Sequence, residues 1–256
     1  MGIKPMKVLL GLVAFAAIST TYAADQKIIG AGPSTKVASL FVEEFTKAPE
    51  ANGYTFFVPP RSAKHAGGIK ASNDFIFGRT GRPLNAKERD QNKDEIFLAR
   101  IPVAFVVGSG AAVSKLSMGQ VEGIFSGTIT NWKEVGGGDA KILLAGREQK
   151  EALFSVLKAK YPSFSKAKFD KVFKKDHQVV NFLKSPAGKF AIGFGAKPNF
   201  SDLNVLSVRE FSVGVSVGLV YDNKNSGDPL VGAAKRFAAS ADWHSKLGSL
   251  ELLPPE

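Results

Sequence analysis

The chain contains no cysteine. That excludes disulfides, thiolate metal ligands, a cysteine nucleophile and a lipid-modified N-terminal cysteine. Histidine is nearly as scarce, and His65, His177 and His244 are scattered without metal-ligand spacing. Past the first residues no apolar run is long enough to cross a bilayer. No G-x-S-x-G elbow is expected, and Gly30-Ala31-Gly32 lacks the third glycine of a dinucleotide fingerprint. These absences predict a protein that is not an enzyme and uses no cofactor and no metal.

What is present begins with a leader. Met1 to Ala23 carries Lys4 and Lys7, an apolar run from Val8 to Ile18 and a small-residue exit at Thr21-Tyr22-Ala23, the layout of a secretory signal peptide. A membrane anchor is the weaker reading, because the run is short for a bilayer. Export to the periplasm as a soluble protein follows. Lysines and arginines number 34 against 23 acidic residues, and the net charge of +11 falls to +9 once Lys4 and Lys7 leave with the leader. The balance favours an anionic partner. Nucleic acid is not expected, since the lysines are dispersed rather than striped. In the densest stretch, Lys158 to Lys175, Phe164, Phe169 and Phe173 recur near helical spacing, which predicts a helix pair with a solvated lysine face.

Hydrophobic patterning alternates strand and helix. Strands are predicted at 27–29, 54–58, 74–77, 101–107, 141–144, 189–194 and 213–221, with helices between most of them. Such alternation means an α/β fold. Pro33-Ser34-Thr35 opens a helix in which Val37, Leu40, Phe41 and Phe45 keep helical register. Ser34 and Thr35 then sit at a helix N-terminus, where backbone N–H groups and hydroxyls either cap the helix or hold an oxyanion.

The most informative segment lies further on. Ser117 caps a helix with Gln120 three residues later, Val121, Ile124 and Phe125 face one way, and Gly127 stops it. Asn131 then caps a short turn placing Trp132 and Val135 on an apolar side before Gly136-Gly137-Gly138. By itself this is a packing corner. The run Phe125-Ser126-Gly127-Thr128-Ile129-Thr130-Asn131-Trp132 through Gly137 resembles a signature of the phosphate-binding proteins of bacterial phosphate ABC importers. Gly30 to Thr35, Gly78 to Leu84 with Glu88, Ala191 to Phe194, and Leu219 to Lys224 with Phe237 and Trp243 fall in that family's order, so the likeness spans nearly the whole mature chain.

The resemblance implies a two-lobed periplasmic binding protein of type II, with the ligand in the cleft between lobes. By that analogy lobe 1 comprises 25–108 plus 196–256 and encloses lobe 2, 109–195. It implies ligand contacts at four loops. The first offers Ser34 and Thr35. The second offers Ser62, Lys64 and His65, where the family carries a small serine-glycine loop; a surface histidine is the alternative for His65. The third offers Arg79, Thr80 and Arg82, guanidinium donors in place of the family's serine and aspartate. A structural ion pair with Glu88 competes for Arg82, whereas no partner for Arg79 is evident in the sequence. The fourth offers Arg147, followed by Glu148-Gln149-Lys150-Glu151 instead of the family's serine-glycine-threonine helix start.

The function expected is therefore capture of a small anion, phosphate or a related oxyanion, for import through an ABC permease in the inner membrane, by a monomer. The eroded fourth loop keeps open an organic anion, or a sensory or interaction role without tight phosphate binding.

Overall fold

The computed structural model describes residues 24–60, 63–200 and 202–255. The predicted signal peptide, Met1 to Ala23, lies outside them. The chain opens with β1 (Ala24–Lys27), α1 (Thr35–Phe45), β2 (Tyr54–Phe57), α2 (Lys64–Ala71), β3 (Gly78–Thr80) and α3 (Ala86–Arg89). A 15-residue strand, β4 (Lys93–Val107), leads into β5 (Lys115–Leu116) and α4 (Met118–Ser126). Next come β6 (Leu143–Arg147), α5 (Ala152–Lys160), β7 (Lys171–Phe173), α6 (Asp176–Lys184) and β8 (Ala191–Ala196). The short β9 (Asn204–Val205) and β10 (Ser207–Val208) precede β11 (Gly214–Asp222), α7 (Pro229–Ala238) and α8 (Ala241–Leu247). The α/β class is as expected.

One strand ties the molecule together. The seven-stranded sheet runs β3-β11-β4-β8-β6-β7, with β9 also on β4. The first part of β4, Lys93 to Pro102, pairs antiparallel with β11; the remainder, Val103 to Val107, pairs antiparallel with β8. β8, β6 and β7 are mutually parallel. On the other flank β1 and β2 form a parallel pair, joined to β3 by a bridge between Gly30 and Arg79. Apart from its first residues β4 is almost wholly buried, which explains its continuous apolar run Ile101 to Val107.

Two aromatic clusters pack the two flanks. Phe41, Phe45, Phe237 and Trp243 meet beneath α1 and α8, with the Trp243 indole N–H donating to the Leu98 carbonyl at 2.7 Å. Phe125 stands among Phe105, Phe164, Phe169 and Phe194. Trp132, fully buried, anchors the neighbouring corner through its N–H to the Phe190 carbonyl at 2.8 Å. Burying each such ring contributes about 2–3 kcal/mol.

Three sequence expectations need correction. Residues 74–77 are not a strand: the amides of Asp74 and Phe75 turn back onto the Ala71 carbonyl, closing α2, and β3 starts only at Gly78. Lys158 to Lys175 is not a helix pair. α5 ends at Lys160, Pro162 begins a single 3-10 turn, and Lys171 to Phe173 form the edge strand β7. Proline cannot continue the helix, and lysines on an edge strand discourage pairing with other chains. Lastly, the string Gly214-Val215-Ser216-Val217-Gly218 spells G-x-S-x-G yet lies within β11, paired with β4, so it forms no elbow.

Candidate functional site

The loops expected to bind ligand do leave the strand ends, but most of their side chains are engaged inside the fold. Arg79 is fully buried. Its Nε donates to the Ala31 carbonyl at 3.0 Å, one terminal nitrogen to Ile28 O at 2.5 Å and the other to Pro59 O at 3.0 Å. The sequence showed no partner for it; the fold supplies these three, on loops 20 to 51 residues away. Gly30 and Gly68 permit this close approach: a Cβ on either would lie 2.0 or 2.2 Å from the Arg79 carbonyl oxygen. Desolvation pushes the guanidinium pKa down from its ordinary value.

Ser34 and Thr80 are likewise turned inward. Ser34 is fully buried at the start of α1, but instead of capping the helix its hydroxyl donates to Ala31 O at 3.0 Å. Thr80 exchanges hydrogen bonds with the main chain of Gly218 at 3.2 and 3.3 Å. The Thr35 amide donates to Gly32 O at 3.0 Å, closing a turn.

Arg82 adopts the structural alternative. Its two terminal nitrogens grip the Glu88 carboxylate, each at 2.8 Å, and one also reaches Pro83 O at 2.7 Å. This fork holds the Glu88 pKa down to about 2, with burial opposing it. His65 completes the group, its Nδ1 3.3 Å from the Gly81 amide and its Nε2 3.3 Å from Glu88. An amide can only donate, so the Nε2–H tautomer is the one this arrangement selects. Burial first, then the Arg82 charge, lowers the His65 pKa. Lys64 opens α2 with a positive φ of 60° and is solvent-exposed. Ser62 lies outside the described residues.

The other flank contributes the arginine that does reach the cleft. Arg147, at the end of β6, donates through Nε to Phe173 O at 3.2 Å and through one terminal nitrogen to Lys174 O at 3.0 Å. Its other terminal nitrogen is paired with the Asp176 carboxylate, which also accepts from Asn199 Nδ2 at 2.7 Å. Glu151 caps α5, its Oε2 accepting from the Phe154 amide at 2.8 Å. The negative charge at that helix N-terminus is thus the protein's own.

Between the flanks lies a cavity of 660 Å³. Gly32, Pro33, Lys36 and Val37 line it from α1 and its loop, rather than Ser34 and Thr35. Arg147, Glu151 and the run Lys174-Lys175-Asp176-His177 line it from the opposite side. Its walls are apolar, including Ile101, Leu153, Val180, Val215 and Leu252. Of the predicted site residues that are described, only Arg147 stands against this cavity. Lys36, Lys174 and Lys175 were missed, although a lysine two residues past Ser34 and a lysine pair just before a helix start were visible signals.

Among the described residues no group of three or more His, Asp or Glu could hold a metal. No helix among them is long and apolar enough to cross a membrane.

Comparison with known proteins gives a consistent picture. The PBP superfamily domain matches residues 16–196. The phosphate-binding protein PstS of Borreliella burgdorferi is 23% identical over 201 residues, 72% of this chain and 70% of the relative. PstS of Bacillus subtilis is 32% identical over a shorter 81 residues, 32% of this chain and 26% of its own. Among solved structures, a candidate phosphate ABC transporter substrate-binding protein from Clostridium perfringens, with phosphate bound, superposes with a TM-score of 0.66 at 18% identity. That match covers 91% of this chain and all (100%) of the other. An ABC-type phosphate transport receptor from Vibrio cholerae gives 0.59 at 18% identity, covering 90% and 100%.

Proposed function

Since the chain belongs to the PBP superfamily, we propose that it is an exported solute-binding protein which captures a small anion, phosphate or a related oxyanion, and presents it to an ABC permease. The observation carrying this is the placement of Arg147, Lys36, Lys174 and Lys175 around one cavity between the two flanks of the sheet. Four cationic residues against the two carboxylates of Glu151 and Asp176 leave the lining net positive, which favours anions there. β4 passes between both flanks and changes partner from β11 to β8 at Pro102/Val103. That change of partner puts the proposed hinge between lobes 25–108 plus 196–256 and 109–195 at Pro102/Val103, six residues before the expected boundary, with 103–107 moving with the second lobe as the lobes close. The relatives named for phosphate support the ligand class, and no catalytic role is assigned. Periplasmic location and monomeric state belong to this reading.

A second reading, binding without tight phosphate capture, is favoured by one specific feature. Asp176 on Arg147 and Glu151 on the α5 N-terminus fill two anion positions beside the cavity with internal carboxylates. Isothermal titration of the mature protein with phosphate and then sulfate separates the two. Capture predicts saturable binding that Arg147→Ala weakens about tenfold. No saturable heat with either anion would favour the second reading.

A further inference from the structure

The cavity is built on two chemically distinct halves. One is a rim of exposed amines, Lys36, Lys174 and Lys175. The other is a wall of Val37, Ile101, Leu153, Val180, Val215 and Leu252. A bare inorganic oxyanion could use the rim alone. It would leave the apolar wall against water, and it would have to compete with Asp176 and Glu151 for the guanidinium and the helix start. The hydroxyls best suited to wrapping such an ion, those of Ser34 and Thr80, are turned onto main-chain oxygens elsewhere. The volume of 660 Å³ also falls within the range, about 300–1,000 Å³, of pockets that enclose whole organic molecules.

We infer that this cleft takes an amphipathic organic anion: one acid group, carboxylate or phosphomonoester, met by the lysine rim, attached to an apolar body that lies along the Leu153, Val180 and Leu252 wall. The inference rests on the capture reading above and narrows its ligand. Acid groups at the rim stay partly hydrated, so lysine ammonium groups, which hold single charges without fixed geometry, are suited to them. Apolar contact then supplies the affinity that a dehydrated cage would supply for a bare ion.

Titration of the mature protein with phenyl phosphate, benzoate and inorganic phosphate tests it. Phenyl phosphate, benzoate or both should bind at least about tenfold more tightly than phosphate, and whichever does identifies the preferred acid group. Val180→Thr, which puts a hydroxyl on the wall at nearly constant volume, should narrow that ratio about threefold. Phosphate binding as tightly as both organic anions would overturn the inference while leaving anion capture standing. Saturable binding of none of the three would remove both.

Discussion

Arg79 and Arg147 make an instructive pair. Arg79 lies in the middle of β3 and Arg147 ends β6, both donate to main-chain carbonyls of neighbouring loops, and both were expected in the ligand site. Arg79 spans the carbonyls of Ala31, Ile28 and Pro59, binding the loops after β1 and β2 to β3 in a fully buried position. Arg147 spans Phe173 O and Lys174 O, and gives its remaining donors to a carboxylate at the edge of a cavity. The first arrangement is a staple of the fold. In the proposed function the second is a positioned cation whose partner gives way to a ligand's acid group, because a side-chain carboxylate can move and a packed main-chain carbonyl cannot.

The largest effect expected of this contrast is on stability. Arg79→Met should lower the melting temperature by on the order of 10 °C, since two buried carbonyls and the part-buried one of Pro59 each lose a donor at about 1–3 kcal/mol. Arg147→Met should cost only about 2–4 °C. Equal losses in thermal unfolding would erase the distinction. Next in size is Asp176→Asn. Neutralising the internal carboxylate should let Arg147 meet an added anion and tighten phenyl phosphate binding about fivefold; weaker binding would instead make Asp176 part of the recognition apparatus.

A pH effect of smaller size follows from the group beside Arg79. The Glu88 pKa, held at about 2 by Arg82, is depressed from 4.5. A depressed carboxylate stabilises the fold above its unfolded pKa, so that contribution is complete above pH 4.5 and is lost as pH falls towards 2. His65, depressed below 6.5 by burial, acts in the same direction: its protonation is easier in the unfolded chain, so stability begins to fall as pH drops below 6.5. Melting temperature followed from about pH 8 down to about pH 3 should therefore slope less for Glu88→Gln than for the unsubstituted protein. Smallest is Glu151→Gln, which keeps a cap oxygen for α5 and should tighten anion binding about twofold with little change in melting temperature.

Legibility followed sequence distance. The capping box at Ser117/Gln120, the Asn131 cap, the left-handed glycines Gly127 and Gly136 at φ 83° and 88°, and buried Trp132 are all found where local pattern puts them. Each depends on contacts within a few residues. The Arg82–Glu88 pair, six residues apart, was also foreseeable. Arg79 was misjudged because its partners lie 20, 48 and 51 residues away. Asp176, 29 residues from Arg147, was missed for the same reason. Ser34 opened the predicted helix, yet nothing local dictates that its hydroxyl should choose Ala31 O over the helix amides.

By itself, then, the amino-acid sequence determined the α/β alternation, the capped corner around Trp132 and the superfamily, because periodicity, caps and glycine stops act over one or two turns of chain. Which cations face the cleft was decided only by the tertiary structure. Strand pairing brings distant carbonyls and carboxylates to each arginine, and a guanidinium withdrawn from water must take whatever acceptors surround it, so the acceptors rather than residue type separate Arg79 from Arg147.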